Sequence, residues 1–108
     1  MTTIVLADDH ALVREGLRTI LRGEDDWSVV GEANDGLQAL APAEQLQPNV
    51  LIVDLMLPGL NGLEVIRQVR RRNPRTLLVA LSMHANESYV LAALRNGAAA
   101  YVLKVVQV

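Results

Sequence analysis

Five short aliphatic runs, each separated from the next by a longer stretch of mixed polarity, constrain this chain more than any other feature. The runs are Thr3–Ala7, Ser28–Ala33, Val50–Asp54, Leu77–Ser82 and Ala100–Leu103. Continuous apolar runs of this length suit strands buried on both faces, the pattern of a parallel sheet. The stretches between them have helical periodicity. Leu12, Val13, Leu17, Ile20 and Leu21 fall on one face of a first helix, with Arg14, Arg18 and Arg22 pointing elsewhere. A second helix is expected from Gly36 to about Leu46. A third runs from Asn61 to about Asn73 with Leu63, Ile66 and Val69 inward, and a fourth over Glu87–Asn96 uses Val90, Ala93 and Leu94.

The punctuation agrees. Asn61 suits an N-cap, Asn73-Pro74 ends a helix, and Asn96-Gly97 is a helix C-cap. Pro42 is the awkward residue. Inside a helix it removes a hydrogen bond, so the second helix is expected to kink or to start late. The sum is β-α-β-α-β-α-β-α-β. With right-handed crossovers it gives one α/β domain over residues 1–108: a doubly wound, five-stranded parallel sheet with helices on both faces. Only Val105, Val106, Gln107 and Val108 follow Lys104. A final helix is therefore missing, and the sheet face near the last strand is expected to be poorly covered.

Composition narrows the function classes. The chain has no cysteine, which excludes disulfides, Cys-ligated zinc and thiol catalysis and fits a reducing compartment. No basic segment followed by a long apolar run opens the chain, so no signal peptide is expected. The apolar runs are far short of the ~20 residues of a membrane span. A net charge of −2 does not suit a general nucleic-acid binder.

In open α/β sheets, ligands sit beyond the carboxyl ends of the strands. Asp8 and Asp9 follow the first run, Asp54 ends the third, Ser82 ends the fourth and Lys104 follows the fifth. Three carboxylates meeting at one sheet edge repel one another, and a hard divalent ion with oxygen ligands resolves the conflict. Magnesium suits such a place, because it takes one or two carboxylates and keeps waters or phosphate oxygens besides. The alternative for Asp8 or Asp9 alone is an N-cap on the first helix. His10 is read as a helix-start residue, since oxygen-ligand Mg²⁺ sites do not use imidazole. The stripe Arg14, Arg18, Arg22 is read as a solvated face. Arg70, Arg71, Arg72 and Arg75 are read as charge favourably placed at a helix C-terminus.

The run Leu6-Ala7-Asp8-Asp9-His10 with Val13-Arg14-Glu15-Gly16-Leu17 resembles the opening of a bacterial response-regulator receiver domain. Val53-Asp54-Leu55-Met56-Leu57-Pro58-Gly59-Leu60-Asn61-Gly62 resembles that family's phosphoacceptor segment. Leu81-Ser82 and Tyr101-Val102-Leu103-Lys104 resemble its other two site segments. The Asp-Asp-His and Val-Arg-x-Gly-Leu wording is similar to the NarL/FixJ subfamily, whose full-length members usually carry a LuxR-type helix-turn-helix domain. The resemblance implies a flavodoxin-like strand order 2-1-3-4-5. It implies Asp54 as the phosphoacceptor, and Asp9, Asp54 and the Met56 backbone carbonyl as direct Mg²⁺ ligands, with Asp8 acting through a bound water. Lys104 would contact a phosphoryl oxygen and Ser82 would donate its hydroxyl to the phosphoryl group. Tyr101 is either the family's aromatic switch or a packed ring with a solvated hydroxyl. His84 stands where the family can tune access of hydrolysing water. Pro58 and the Gly59–Gly62 run shape the loop after Asp54.

The resemblance further implies a cytoplasmic signalling module, not an enzyme in the usual sense, that promotes its own Mg²⁺-dependent phosphorylation and dephosphorylation. A sensor histidine kinase would be its phosphodonor. Homodimers are conceivable, and DNA would be reached only through a C-terminal domain that this chain lacks. A pseudo-receiver that takes no phosphate is the competing class, and Mg²⁺ binding followed by Trp27 fluorescence or NMR shifts separates the two. A flavodoxin-like cofactor binder would need a phosphate-cradling loop after the first strand, where Asp8-Asp9 would repel a phosphate. An Asp-nucleophile phosphatase would usually need a second acid where Met56 stands.

Overall fold

The computed structural model describes residues 1–104; the apolar tail read in place of a fifth helix lies outside the described residues. Five strands and four helices alternate: β1 Thr2–Ala7, α1 Ala11–Leu21, β2 Trp27–Ala33, α2 Gly36–Leu46, β3 Val50–Asp54, α3 Gly62–Arg72, β4 Leu77–Ser82, α4 Glu87–Asn96 and β5 Ala100–Leu103. All strand pairs are parallel and the order is β2-β1-β3-β4-β5, as the resemblance implied.

Register explains the burial. Val5, Leu51 and Leu78 pair across the sheet, as do Ala7, Val53 and Ala80, so these six side chains share a face. That face packs on Val65, Ile66 and Val69 of α3, Ala39 and Ala43 of α2 and Ala93 of α4, forming the main core. Burying the Val, Leu and Ile side chains among these stabilises by about 1.5–3 kcal/mol each, and the alanines by less. The opposite face, with Leu6, Ile52, Val79 and Leu81, looks towards α1, whose residues are at best half-buried. Ile52 and Val79 stay partly exposed in consequence.

An apolar groove of about 480 Å³ opens between Val13, Leu17 and Ile20 of α1 and Leu81, Met83 and Val102 beside β5. Among the described residues, Val102 and Leu103 of β5 are 45% and 42% exposed. The expected α1 face needs correction, because Leu12 is 80% exposed and Ile20 72% exposed. Val13, Leu17 and Leu21 form the narrower inward seam, and Ile20 flanks the groove. On α4, Leu94 is likewise exposed while Ala93 is buried; on α3 Ile66 and Val69 are buried and Leu63 packs against the core as expected, with Val65 buried beside them.

Caps follow chemistry. The side chains of Asp35, Asn61 and Asn86 each accept an N–H of the following first turn, at 2.7, 3.0 and 3.0 Å. Gly97 closes α4 at φ 119°, a conformation that favours glycine. α2 neither starts late nor stops at Pro42, but runs through it. Ala39 and Ala43, on either side of Pro42, are both buried in the main core and anchor the helix despite the missing donor.

Candidate functional site

β1, β3, β4 and β5 all end at one edge of the sheet, and each delivers a polar group there. Asp8 is 1% exposed, Asp54 2% and Ser82 0%. Asp54 closes β3 opposite Leu81, and the Lys104 amide donates to the Ser82 carbonyl at 2.8 Å, so backbone pairing alone sets these side chains side by side.

The Lys104 ammonium lies 2.8 Å from Asp54 Oδ2 and 2.6 Å from Asp8 Oδ2. Both contacts join the ammonium to a buried carboxylate, the one to Asp54 with hydrogen-bond geometry and the one to Asp8 as a close ion pair. Burial pulls the Lys104 pKa down, but its bonds and charge attraction to Asp54 and Asp8 outweigh burial, and the net direction is upward.

Asp8, Asp9, His10 and Asp54 each offer an atom within 4.8 Å of the others. Three carboxylates against one ammonium leave two uncompensated negative charges, which matches a divalent cation. Asp8 and Asp54 supply buried carboxylate oxygens and Asp9 a more exposed one, and this all-oxygen carboxylate set fits Mg²⁺ with bound waters.

Neither Asp8 nor Asp9 caps α1. Asp8 Oδ1 instead accepts the His10 amide at 2.8 Å. His10 does hold the helix-start position, but its side chain makes no cap bond; Nδ1 lies 3.2 Å from both Asp8 Oδ1 and Asp9 Oδ1. The arginine stripe is not simply solvated, since Arg14 and Arg18 both turn to Glu32 of β2. Ser82 Oγ accepts the His84 amide at 3.0 Å and keeps its own proton for another acceptor. Tyr101 packs its ring on the main core and donates its hydroxyl to the His84 carbonyl at 2.5 Å, so that hydroxyl is not left to water. The His84 ring stacks on Tyr89, centroids 4.9 Å apart. Trp27 sits at the other end of β2, paired with Thr2, roughly 17 Å of strand from the site. Its fluorescence is a poor reporter of metal there.

Of the two glycines in the loop after Asp54, Gly62 does more than shape the turn. A Cβ on Gly62 would stand 2.3 Å from the Asp54 carbonyl oxygen and 2.6 Å from Leu55 Cα. The start of α3 therefore rests directly on the backbone that carries Asp54. Gly62→Ala is expected to cost about 1–3 kcal/mol, read by urea unfolding, and to shift the Asp54 and Leu55 amide resonances. An unchanged midpoint would contradict this close approach.

Comparison with known proteins decides the family. Residues 4–108 match the response regulator receiver domain. The chain belongs to the response regulator receiver family. It is 46% identical over 102 residues to the oxygen regulatory protein NreC of Staphylococcus carnosus (strain TM300). It is 39% identical over 102 residues to the nitrate/nitrite response regulator protein NarL of Escherichia coli (strain K12). Each match covers 94% of this chain and 47% of the relative, so the chain spans about half the length of these curated relatives. Among solved structures, the signal receiver domain of the putative response regulator NarL from Mycobacterium tuberculosis superposes with TM-score 0.92 at 36% identity, over 98% of this chain and 86% of that one. The receiver domain of RcsB from Salmonella enterica serovar Typhimurium, solved in the presence of the phosphomimetic BeF₃⁻, gives 0.89 at 31% identity, over 95% and 77%. The receiver fold and the NarL-type likeness read from the sequence both stand.

Proposed function

We propose that this receiver accepts a phosphoryl group on Asp54 with Mg²⁺ bound beside it, and relays the change to a partner-binding surface. The supporting observation is Lys104 reaching Asp8 and Asp54 at 2.6 and 2.8 Å. An ammonium and a buried acidic set converge there on the one carboxylate that ends the central β3.

Asp9, Asp54 and the Met56 carbonyl would ligate the ion, with Asp8 joining through water. Held by these residues, the ion would supply positive charge to neutralise phosphoryl oxygens. An Asp54 oxygen attacks phosphorus as the bond to the donor breaks. That bond is P–N in a phosphohistidine or P–O in an acyl phosphate, and the leaving group keeps the electron pair. Lys104 then exchanges its Asp54 contact for a phosphoryl oxygen. Ser82, whose proton is uncommitted, donates to another. Because the His84 amide is bound to Ser82 Oγ and the His84 carbonyl to Tyr101, motion of Ser82 pulls on α4 and β5 together. Tyr101 is the switch in this scheme.

The phosphodonor is a sensor histidine kinase in the cytoplasm. The chain is the receiver part of a transcription regulator whose separate C-terminal domain meets DNA, and homodimers are one form its output can take. No described helix is long and apolar enough to cross a membrane.

Intact mass after incubation with acetyl phosphate tests the reaction. One phosphoryl group is expected with Mg²⁺ and none when the metal is chelated. No addition under either condition makes the chain a pseudo-receiver.

A further inference from the structure

Arg14 stands outside the acidic cluster yet grips its backbone. Its Nη1 donates to the Asp8 carbonyl oxygen at 2.5 Å, and its Nε donates to Glu32 Oε1 at 3.0 Å. Arg18 donates to the other Glu32 oxygen. The Asp8 amide in turn donates to the Ala33 carbonyl at 3.0 Å. Asp8 is therefore held through both of its peptides: β2 holds the one before it by the N–H, and the guanidinium holds the Asp8–Asp9 peptide by its carbonyl. Asp9 itself is loosely held: its side chain is 34% exposed and meets His10 alone among the ion contacts described.

Glu32 reaches Arg14 because of an irregularity in β2. Ile4 pairs with Val29, but Val5 pairs with Gly31, so Val30 is an extra residue. Without that bulge Glu32 would pair with Ala7 and share its face, beneath α2 and α3. With it, Glu32 pairs with Leu6 and faces α1. A one-residue slip inverts a strand's faces, and bulges near functional sites re-aim side chains in this way. The Arg14 side chain is 19% exposed and the Glu32 side chain 28%, so each is partly covered where they meet.

Resting on the metal-dependent reading above, we propose that Arg14 is a positioning residue: held by Glu32, it fixes the Asp8–Asp9 peptide so that both carboxylates face the cation. Loss of the guanidinium frees that peptide to turn and swings Asp9 away from the metal. Glu32 acts through Arg14, and Arg18 keeps Glu32 in place. Lysine is a poor replacement, because a single ammonium lacks the fork that serves both acceptors.

Calorimetric titration with Mg²⁺ tests this on the wild type, Arg14→Gln, Arg14→Lys, Glu32→Gln and the double variant Arg14→Gln/Glu32→Gln, with exposed Arg22→Gln as control. Arg14→Gln is expected to weaken Mg²⁺ binding about tenfold or more, as loss of partners that orient ligands does. Arg14→Lys falls between it and the wild type. The double variant binds no more weakly than Arg14→Gln, since the two act in series. With acetyl phosphate, the Mg²⁺ concentration for half-maximal rate rises while the rate at saturating Mg²⁺ holds, a split that a merely structural role would not produce. Equal dissociation constants for Arg14→Gln and the wild type overturn the proposal. If Arg14→Gln does not fold, Glu32→Gln decides by the same criterion. A wild type that binds no Mg²⁺ overturns the functional reading and this proposal together; a wild type that binds while the variants match it overturns this one alone.

Discussion

Asp54→Asn should take no phosphoryl group from acetyl phosphate and Mg²⁺ under conditions where the wild type gains one. The amide keeps the shape of the carboxylate and can still accept the Met56 amide, which Asp54 Oδ1 does now at 3.0 Å. It lacks the anionic oxygen that attacks phosphorus, and as a neutral group it is a weaker ligand for a hard cation. Lys104 retains Asp8 at 2.6 Å, so the fold should survive and the loss should be chemical. Intact mass measures the first point and thermal unfolding the second. A phosphoryl group on folded Asp54→Asn would place the acceptor elsewhere, and Asp8 and Asp9 would be the next residues to examine by peptide mapping.

The chain states much of this openly. Strand runs are legible because a parallel sheet buries both faces, so its strands are written as unbroken apolar text. Strand ends then name Asp8, Asp9, Asp54, Ser82 and Lys104 as neighbours, and the structure brings Asp8, Asp9, Asp54 and Lys104 together. Side-chain direction was less legible. The bulge at Val30 is marked only by the neighbouring Gly31 inside the strand, yet it decides that Glu32 meets Arg14 and Arg18 instead of the core. The helix-face reading failed at Leu12 and Ile20 for a related reason. Period alone says which residues share a stripe, whereas the width of the buried seam depends on what packs against it. Gly62 looked like one more loop glycine, because close approach of α3 to Asp54 is a contact between segments and not a local conformation. A glycine at the first helical position, where glycine is a poor helix former, was the available signal.

The second large effect belongs to Lys104. In Lys104→Met, with no metal present, Asp8 and Asp54 remain buried and lose their common cation. Removing one partner of a buried ion pair costs about 3–5 kcal/mol, and the Lys104 side chain is only 8% exposed, so solvent screens little of it. Mg²⁺ should restore more stability to the variant than to the wild type. A divalent ion meets the same carboxylates, and without the ammonium it meets no repulsion there. The phosphorylation rate at saturating Mg²⁺ should nonetheless fall, because no group replaces the charge at the phosphoryl oxygen. The pH dependence separates charge from packing. The pKa of Lys104 is raised in the folded state, so its stabilisation is complete below the ordinary lysine value of about 10.4 and is lost as pH rises through the higher folded value. The wild type should therefore lose an alkaline increment of stability that Lys104→Met never had, and the two unfolding curves should converge above that pH. Equal metal-free melting temperatures at neutral pH would show that the ammonium does not hold the acidic edge together, and would remove the electrostatic basis for placing a phosphoryl group beside it.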